Sequence, residues 1–155
     1  MIQHDQEGKS MSDIDSIHEE WKRDGWFVWE GYDPFEHYVG PMFMKEVDGS
    51  FVSRMVVEQK HINGQGNLHG GMMMTFADYA LFAIVHERLQ EQGAVTVTCN
   101  TEFIAAAQEG QLLEAKGELV HETGRMLFVR GQIFCGDTIL LNFSGVLRKV
   151  KRKIQ

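Results

Sequence analysis

Hydrophobic positions along this chain follow three different rhythms. Ile14, Ile17, His18 and Trp21 recur at helical spacing, which predicts a short amphipathic helix. Ser12 is placed to cap it, with Asp13 and Asp15 near its positive end. Residues 1–11 read as a polar tail. "GWFVWEGYDPFEHYVGP" follows, aromatic and broken by Gly and Pro; it predicts a packed loop with one helical turn near Pro34–Tyr38. From Met42 the period changes to two. "PMFMKEVDGSFVSRMVVEQKH" reads as a hairpin that turns at Asp48–Gly49.

The third rhythm is nearly continuous apolarity. "GNLHGGMMMTFADYALFAIV", from Gly66 to Val85, predicts a helix of about 20 residues with Gly93 as its stop. Period two then returns. "AVTVTCNTEFI", "QLLEAKGELVHE", "RMLFVRGQIFC" and "TILLNFSGVLRKV" predict four strands in a meander, the last pair turning through Gly136–Asp137. A helix that is apolar nearly all round needs cover on most sides. An antiparallel sheet of five or six strands, curled round one long helix, supplies it, which makes the fold class α+β. The division that follows is an N-terminal extension over residues 1–39 and a main domain over 40–155.

Composition narrows the function. The 155 residues are 43% hydrophobic and 24% charged, as expected of one globular domain. A net charge of −7 leaves no basic excess for general nucleic-acid binding. Cys99 and Cys135 form no CxxC pair and have no zinc-type spacing to His61, His69 or His86, so no metal is expected. Asp78 interrupts the one stretch approaching a membrane span, and the N-terminus lacks the apolar core of a signal peptide. These features point to a cytoplasmic protein.

Asp78 is the chemical anomaly. A carboxylate among Phe76, Ala77, Tyr79, Ala80 and Leu81 is costly unless hydrogen-bonded or paired, and desolvation would make it a stronger base. It is either a structural acid holding a loop or a functional one. Gly70 and Gly71 stand at the helix entrance, where unpaired N–H groups and the helix dipole favour a developing oxyanion and missing side chains admit a substrate to the backbone. Asn63 can orient a carboxylate or a water, or close an Asx-turn. His69 can donate to a substrate or hold the loop.

"NGQGNLHGGMMMTFAD" adds spacing to these residues: Asn63 six before His69, two glycines after it, and Asp78 nine after it. With the strand–strand–long helix–strands order, this resembles the hot-dog fold, and more narrowly the acyl-coenzyme A thioesterases of the phenylacetate-pathway type. The resemblance covers about residues 40–150. It implies hydrolysis of an acyl-CoA thioester without metal or organic cofactor. It implies a homodimer with sheets joined edge to edge, often paired into a tetramer, and an active site between subunits. It assigns the oxyanion donor to Gly70, makes Asp78 the base or nucleophile, and places a water-binding hydroxyl at Thr96. Relatives that put a hydroxyl one turn beyond the acid differ from this chain, which has Phe82 there.

His69 and Asp78 lie about 13 Å apart along a helix and point to opposite sides. One chain therefore does not easily bring its own acid to its own helix mouth, whereas a two-fold partner can. Gly71 and Met72 are candidate substrate contacts, Met72 within the soft "MMM" stretch that serves as core or as acyl lining. Arg125 and the basic tail "RKVKRK" are candidates for the phosphates of coenzyme A, or solvated ends. Other functions open to such a domain are a non-catalytic acyl-CoA sensor, though the short acidic N-terminal helix is a poor candidate for the DNA-binding segment sensors carry, and a dehydratase, though no "HFPG"-like stretch is present.

Overall fold

The structure, a computed structural model, describes residues 10–153. Helix α1 spans Met11–Arg23 and helix α2 Pro34–Val39. Strands β1 (Phe43–Val47) and β2 (Ser50–Val56) precede the long helix α3 (Gly70–Ile84). Strands β3 (Gly93–Phe103), β4 (Leu112–Glu122), β5 (Met126–Cys135) and β6 (Thr138–Val150) complete the chain. All six strands form one antiparallel sheet in the order β1-β2-β4-β5-β6-β3. The architecture is the predicted one, a sheet wrapped on a single central helix.

Alternation specifies the hairpins. Asp48 and Gly49 both take positive φ (51° and 80°), the primed turn that matches strand twist. The face of β4 with Leu113 and Ala115 points into the core, beside Leu127, Val129 and Ile133 of β5 and Leu141, Phe143 and Leu147 of β6. Phe76, Ala77, Ala80, Leu81 and Ala83 of α3 are fully buried against them. The helix seats so closely that a Cβ on Gly145 would strike Leu81, and one on Gly117 would strike Ile84.

Three expectations change. The last four strands are not a simple meander, because β3 pairs with β6 while β4 joins β2. The connection between Phe103 and Leu112 is too long for a tight hairpin. It passes the start of α3, where Leu68 donates to Ala107 (2.7 Å) and Val57 to Gln111 (2.9 Å), and delivers β4 to the far side of the sheet. Helix α3 has 15 residues rather than about 20: it ends at Val85 and tightens into a 3₁₀ turn over His86–Leu89, and Gly93 opens β3 instead of stopping the helix. Helix α1 starts two residues early, because Ser10 rather than Ser12 forms a reciprocal capping box with Asp13. Of the predicted tail, residues 1–9 lie outside the described residues.

The N-terminal segment covers the outer face of the hairpin. Ile14, Trp21 and Trp26 form a second core with Phe43, Val52 and Val56, separate from the one beneath α3. Trp21 meets Phe43 edge-on (5.3 Å between centroids), and the Arg54 guanidinium lies 4.0 Å from the Trp26 ring centroid. This explains why β2 is buried on both faces. Phe27 then bridges Met44 and covers the β1 edge. The opposite edge, β3, is paired only to β6 among the described residues, and it exposes Val95 (48%) and Val97 (51%).

Candidate active site

Helix α3 has one open stripe. Its buried residues surround Gly71, Thr75, Asp78 and Phe82, which recur at intervals of four, three and four and remain exposed or half-buried. Asp78 therefore does not sit in the core; it occupies the line along the helix that its own chain leaves uncovered. On this stripe the Thr96 hydroxyl of β3 donates to Asp78 Oδ1 at 2.6 Å. The acid from the helix and the hydroxyl from the edge strand, named from sequence, thus meet directly. Cys99, two positions further along the same strand face after a bulge, has its thiol pushed up by burial and by the charge of Asp78.

The helix mouth is built from the loop before it. Asn63 Oδ1 accepts from the backbone N–H of Gln65 (2.9 Å) and Asn67 (3.2 Å), so the Asx-turn role is realised and the amide NH₂ is the part left over. The Ile62–Leu68 bridge closes this loop, and the His69 N–H donates to the His61 carbonyl (2.8 Å). His69 is the N-cap of α3: its Nδ1 accepts from the Gly71 N–H at 2.9 Å. In the neutral ring the proton is then on Nε2, which faces outward from an exposed residue. A Cβ on Gly71 would crowd that Nδ1 at 3.0 Å and press on the cap.

Gly70 is the first helical residue, and its N–H has no acceptor among the described residues. Of the two glycine N–H groups, only this one is free for a ligand, because the histidine occupies the other. Phe103, the last residue of β3, packs over Gly70, 3.3 Å from where a Cβ would stand. Sequence reasoning missed Phe103; its signal is only that an edge strand ends on an aromatic. Met72 is buried in the core and Met74 is the exposed member of the triplet. Arg125 lies exposed in the β4–β5 turn, where its carbonyl accepts from the Lys149 N–H. Among the described residues no three His, Cys, Asp or Glu side chains are grouped to hold a metal, and no helix is long and apolar enough to cross a membrane.

A second carboxyl, also missed from sequence, comes from the N-terminal extension. The Tyr79 hydroxyl, next to Asp78, donates to the Met42 carbonyl (3.1 Å), and His61 Nε2 bonds the Val39 carbonyl (2.6 Å). These bonds hold α2 beside α3, with half-buried Glu36 turned toward it. Burial, then Asp33 and Asp78, raise the Glu36 carboxyl to about 7. A raised carboxyl keeps its proton longer in the folded chain than in the unfolded one, so its contribution to stability is complete below the unfolded value and is lost as pH rises through about 7. Glu36→Gln should therefore stabilise the protein at pH 8 and do little at pH 4. Partial solvent exposure reduces the effect to about 1 kcal/mol, or about 2–4 °C in Tm. Thermal unfolding at both pH values checks it; an equal shift at both would remove Glu36 as the source.

Two large surface hollows, of about 640 and 710 Å³, are lined by neither Asp78, Thr96 nor Gly70. Within one chain the acid lies on the open stripe of α3. Comparison with known proteins then supplies the family. The family model described as Thioesterase superfamily matches residues 65–141. PA0474 of Pseudomonas aeruginosa, named as a candidate esterase, is 30% identical over 115 residues, 73% of this chain and 86% of the relative. The chain belongs to the thioesterase superfamily. It is thus a hydrolase of the thioester class, and the match covers α3, with Asp78 and the His69–Gly70–Gly71 mouth, and Thr96.

Solved structures share the fold at low identity. The BH2602 protein of Bacillus halodurans, described with CoA, superposes with a TM-score of 0.70 at 17% identity, covering 96% of this chain and 99% of that one. The PaaI protein from the phenylacetic acid degradation operon of E. coli gives 0.69 at 20% identity, covering 91% and 95%. The hot-dog architecture expected from sequence is therefore the architecture of this superfamily member.

Proposed function

We propose that this thioesterase hydrolyses acyl-coenzyme A thioesters at a site shared between two subunits. The observation that carries the reading is the Asp78–Thr96 pair, exposed on the open stripe of α3 beside the free edge of β3. A long unpaired edge with exposed valines is a liability that pairing with a second copy removes. Antiparallel pairing of β3 with its two-fold mate brings the partner's helix mouth toward this stripe. The CoA described with the Bacillus halodurans protein supports the choice of carrier. Pairs of such dimers form the larger assembly.

In this reading Thr96 orients the Asp78 carboxylate, which acts in one of two ways. As a base it takes a proton from water while the water oxygen attacks the acyl carbon; as a nucleophile it forms an anhydride that water then opens. Either route places negative charge on the acyl oxygen, where the free Gly70 N–H from the other subunit receives it. Collapse expels the coenzyme A thiolate. His69 supports the mouth through Nδ1 and offers Nε2–H to the thioester. Asn63 shapes the loop and leaves its NH₂ group for water or carbonyl. Gly71 leaves room at the mouth, Met72 lines the floor beneath it, and Arg125 offers an exposed cation to one of the coenzyme A phosphates, beside those the basic tail can take.

The test is thiol release from a panel of short, long, branched and aromatic acyl-CoAs, followed with a thiol reagent. Release above the uncatalysed rate for at least one member is expected. Tight acyl-CoA binding with no release across the panel would mark the chain as a sensor and overturn the hydrolase mechanism.

A further inference from the structure

The N-terminal extension and the C-terminal tail meet in a groove that the chemistry above leaves unused. It encloses about 710 Å³, within the range of small-molecule sites. One wall is the aromatic loop, with Phe27, Trp29, Glu30 and Tyr32; the other is Arg152 and Lys153. Trp29 packs against the Gly31 backbone. Its ring lies so close over Gly31 that any Cβ there would overlap it, while the residue as a whole stays 38% exposed. One face of the indole is therefore covered by backbone and the side chain still reaches solvent. Arg152 is also held, with Nη2 donating to the Leu89 carbonyl at 2.9 Å.

Charge at this place runs against the rest of the molecule. The net charge is −7, yet Arg148, Lys149, Lys151, Arg152 and Lys153 cluster within six positions. Lys149 is committed to Glu122 (2.5 Å). No acidic partner engages Arg148, Lys151, Arg152 or Lys153 among the described residues. An aromatic face beside cations without acidic partners suits a base carrying phosphates: the base stacks and the cations take the anionic oxygens. Glu30, the one acid of the lining, offers an acceptor to an exocyclic amine.

Position ties the groove to the reaction. The Arg152 backbone passes beside Gly93, 3.7 Å from where a Cβ would stand. Gly93 begins β3, and Thr96 lies three residues along that strand, about 10 Å at strand rise. Thr96 in turn holds Asp78. A ligand with phosphates in the groove must therefore reach the carboxylate through an extended arm, as the pantetheine of coenzyme A would provide.

The geometry points to this groove as the nucleotide subsite: Trp29 and Tyr32 stack on the adenine of coenzyme A, and Arg152 and Lys153 receive its phosphates. The inference rests on the acyl-CoA reading above, but it assigns the handle of the substrate to residues outside the helix-and-sheet core. It gives the aromatic extension a role in choosing the carrier rather than the acyl group.

Two thioesters of one acyl group, an acyl-CoA and the matching acyl-pantetheine, test it on the full chain. Trp29→Ala and Lys153→Ala change exposed side chains, and circular dichroism confirms their folding. Each should raise KM for the acyl-CoA about tenfold with kcat retained, the scale of one lost charge-assisted or stacking contact. Acyl-pantetheine, which has no nucleotide, should be turned over alike by all three proteins. An unchanged KM for acyl-CoA, or an equal loss on both thioesters, would overturn the assignment. Free coenzyme A provides a reading independent of hydrolysis. Trp21 and Trp26 are buried, so quenching on titration reports Trp29 and should vanish in Trp29→Phe. Quenching without any thioester cleavage would sink the hydrolase mechanism and uphold the groove; cleavage without quenching would do the opposite.

Discussion

Asp78→Asn should fold, dimerise and bind acyl-CoA within a few-fold of the parent, while turnover falls about 10²-fold or more. The structure makes this a clean substitution. Asp78 is half-buried on the open stripe, and its one short side-chain bond is the 2.6 Å contact from Thr96. An amide oxygen can accept that same bond, so geometry is kept while the basic and nucleophilic oxygen is lost. Removing a negative charge that faces the Glu36 carboxyl should leave the variant as stable as the parent or slightly more so. Single-turnover kinetics with the best substrate of the acyl-CoA panel, together with thermal unfolding, gives both readings. Near-parental turnover would remove Asp78 from the mechanism.

Complementation between two inactive chains has an effect just as large. Gly70→Pro deletes the one free N–H at the helix mouth, and the fold is ready to accept it. Gly70 is the first helical residue, where proline is favoured, and His69 before it already holds the extended backbone (φ −62°, ψ 131°) that a following proline requires. The Phe103 ring, 3.3 Å from the added Cβ, has to give slightly. Alone, Gly70→Pro and Asp78→Asn should each be inactive. Co-refolded in equal amounts, about half the dimers are mixed, and each mixed dimer has one site with both defects and one with neither. About a quarter of parental activity should return. If mixed dimers form and no activity returns, each site lies within a single chain.

Much of this was legible in the sequence because two periodicities dominate it. Alternation located all six strands to within a few residues, and the apolar run located α3. The spacing from Asn63 through His69 to Asp78 named residues that the structure places on one loop and one helix. Thr96 was named through the resemblance, and it touches Asp78. What was not legible depends on contacts distant in sequence. Strand order is one case, since nothing in "CNTEFI" announces that β3 leaves β4 and pairs with β6. The free Gly70 N–H is another: the two glycines look equivalent until His69 Nδ1 is seen to occupy Gly71. Glu36 belongs with these, because a six-residue helix in a loop carries no sign of the acid it will face. Helix α3 was read too long because the His86–Leu89 segment continues in tighter 3₁₀ form, which pattern alone does not separate from the α-helix.

Helix α1 also has a steric consequence for assembly. Curled sheets of this shape have a convex back, and two dimers can associate by laying those backs together. Here Ile14, Trp21 and Trp26 already occupy the back of β1 and β2. A second dimer approaching that end would meet the polar outer side of a helix, with Glu19 and Lys22 paired across it, instead of a flat sheet. The part of the back that α1 leaves open is that of the strands it does not reach, where Arg130 pairs with Glu118 and Gln132 with Asn142. The extension thus withdraws one end of the sheet's back from contact, so which surface a further copy could meet is set in part by a helix outside the central fold.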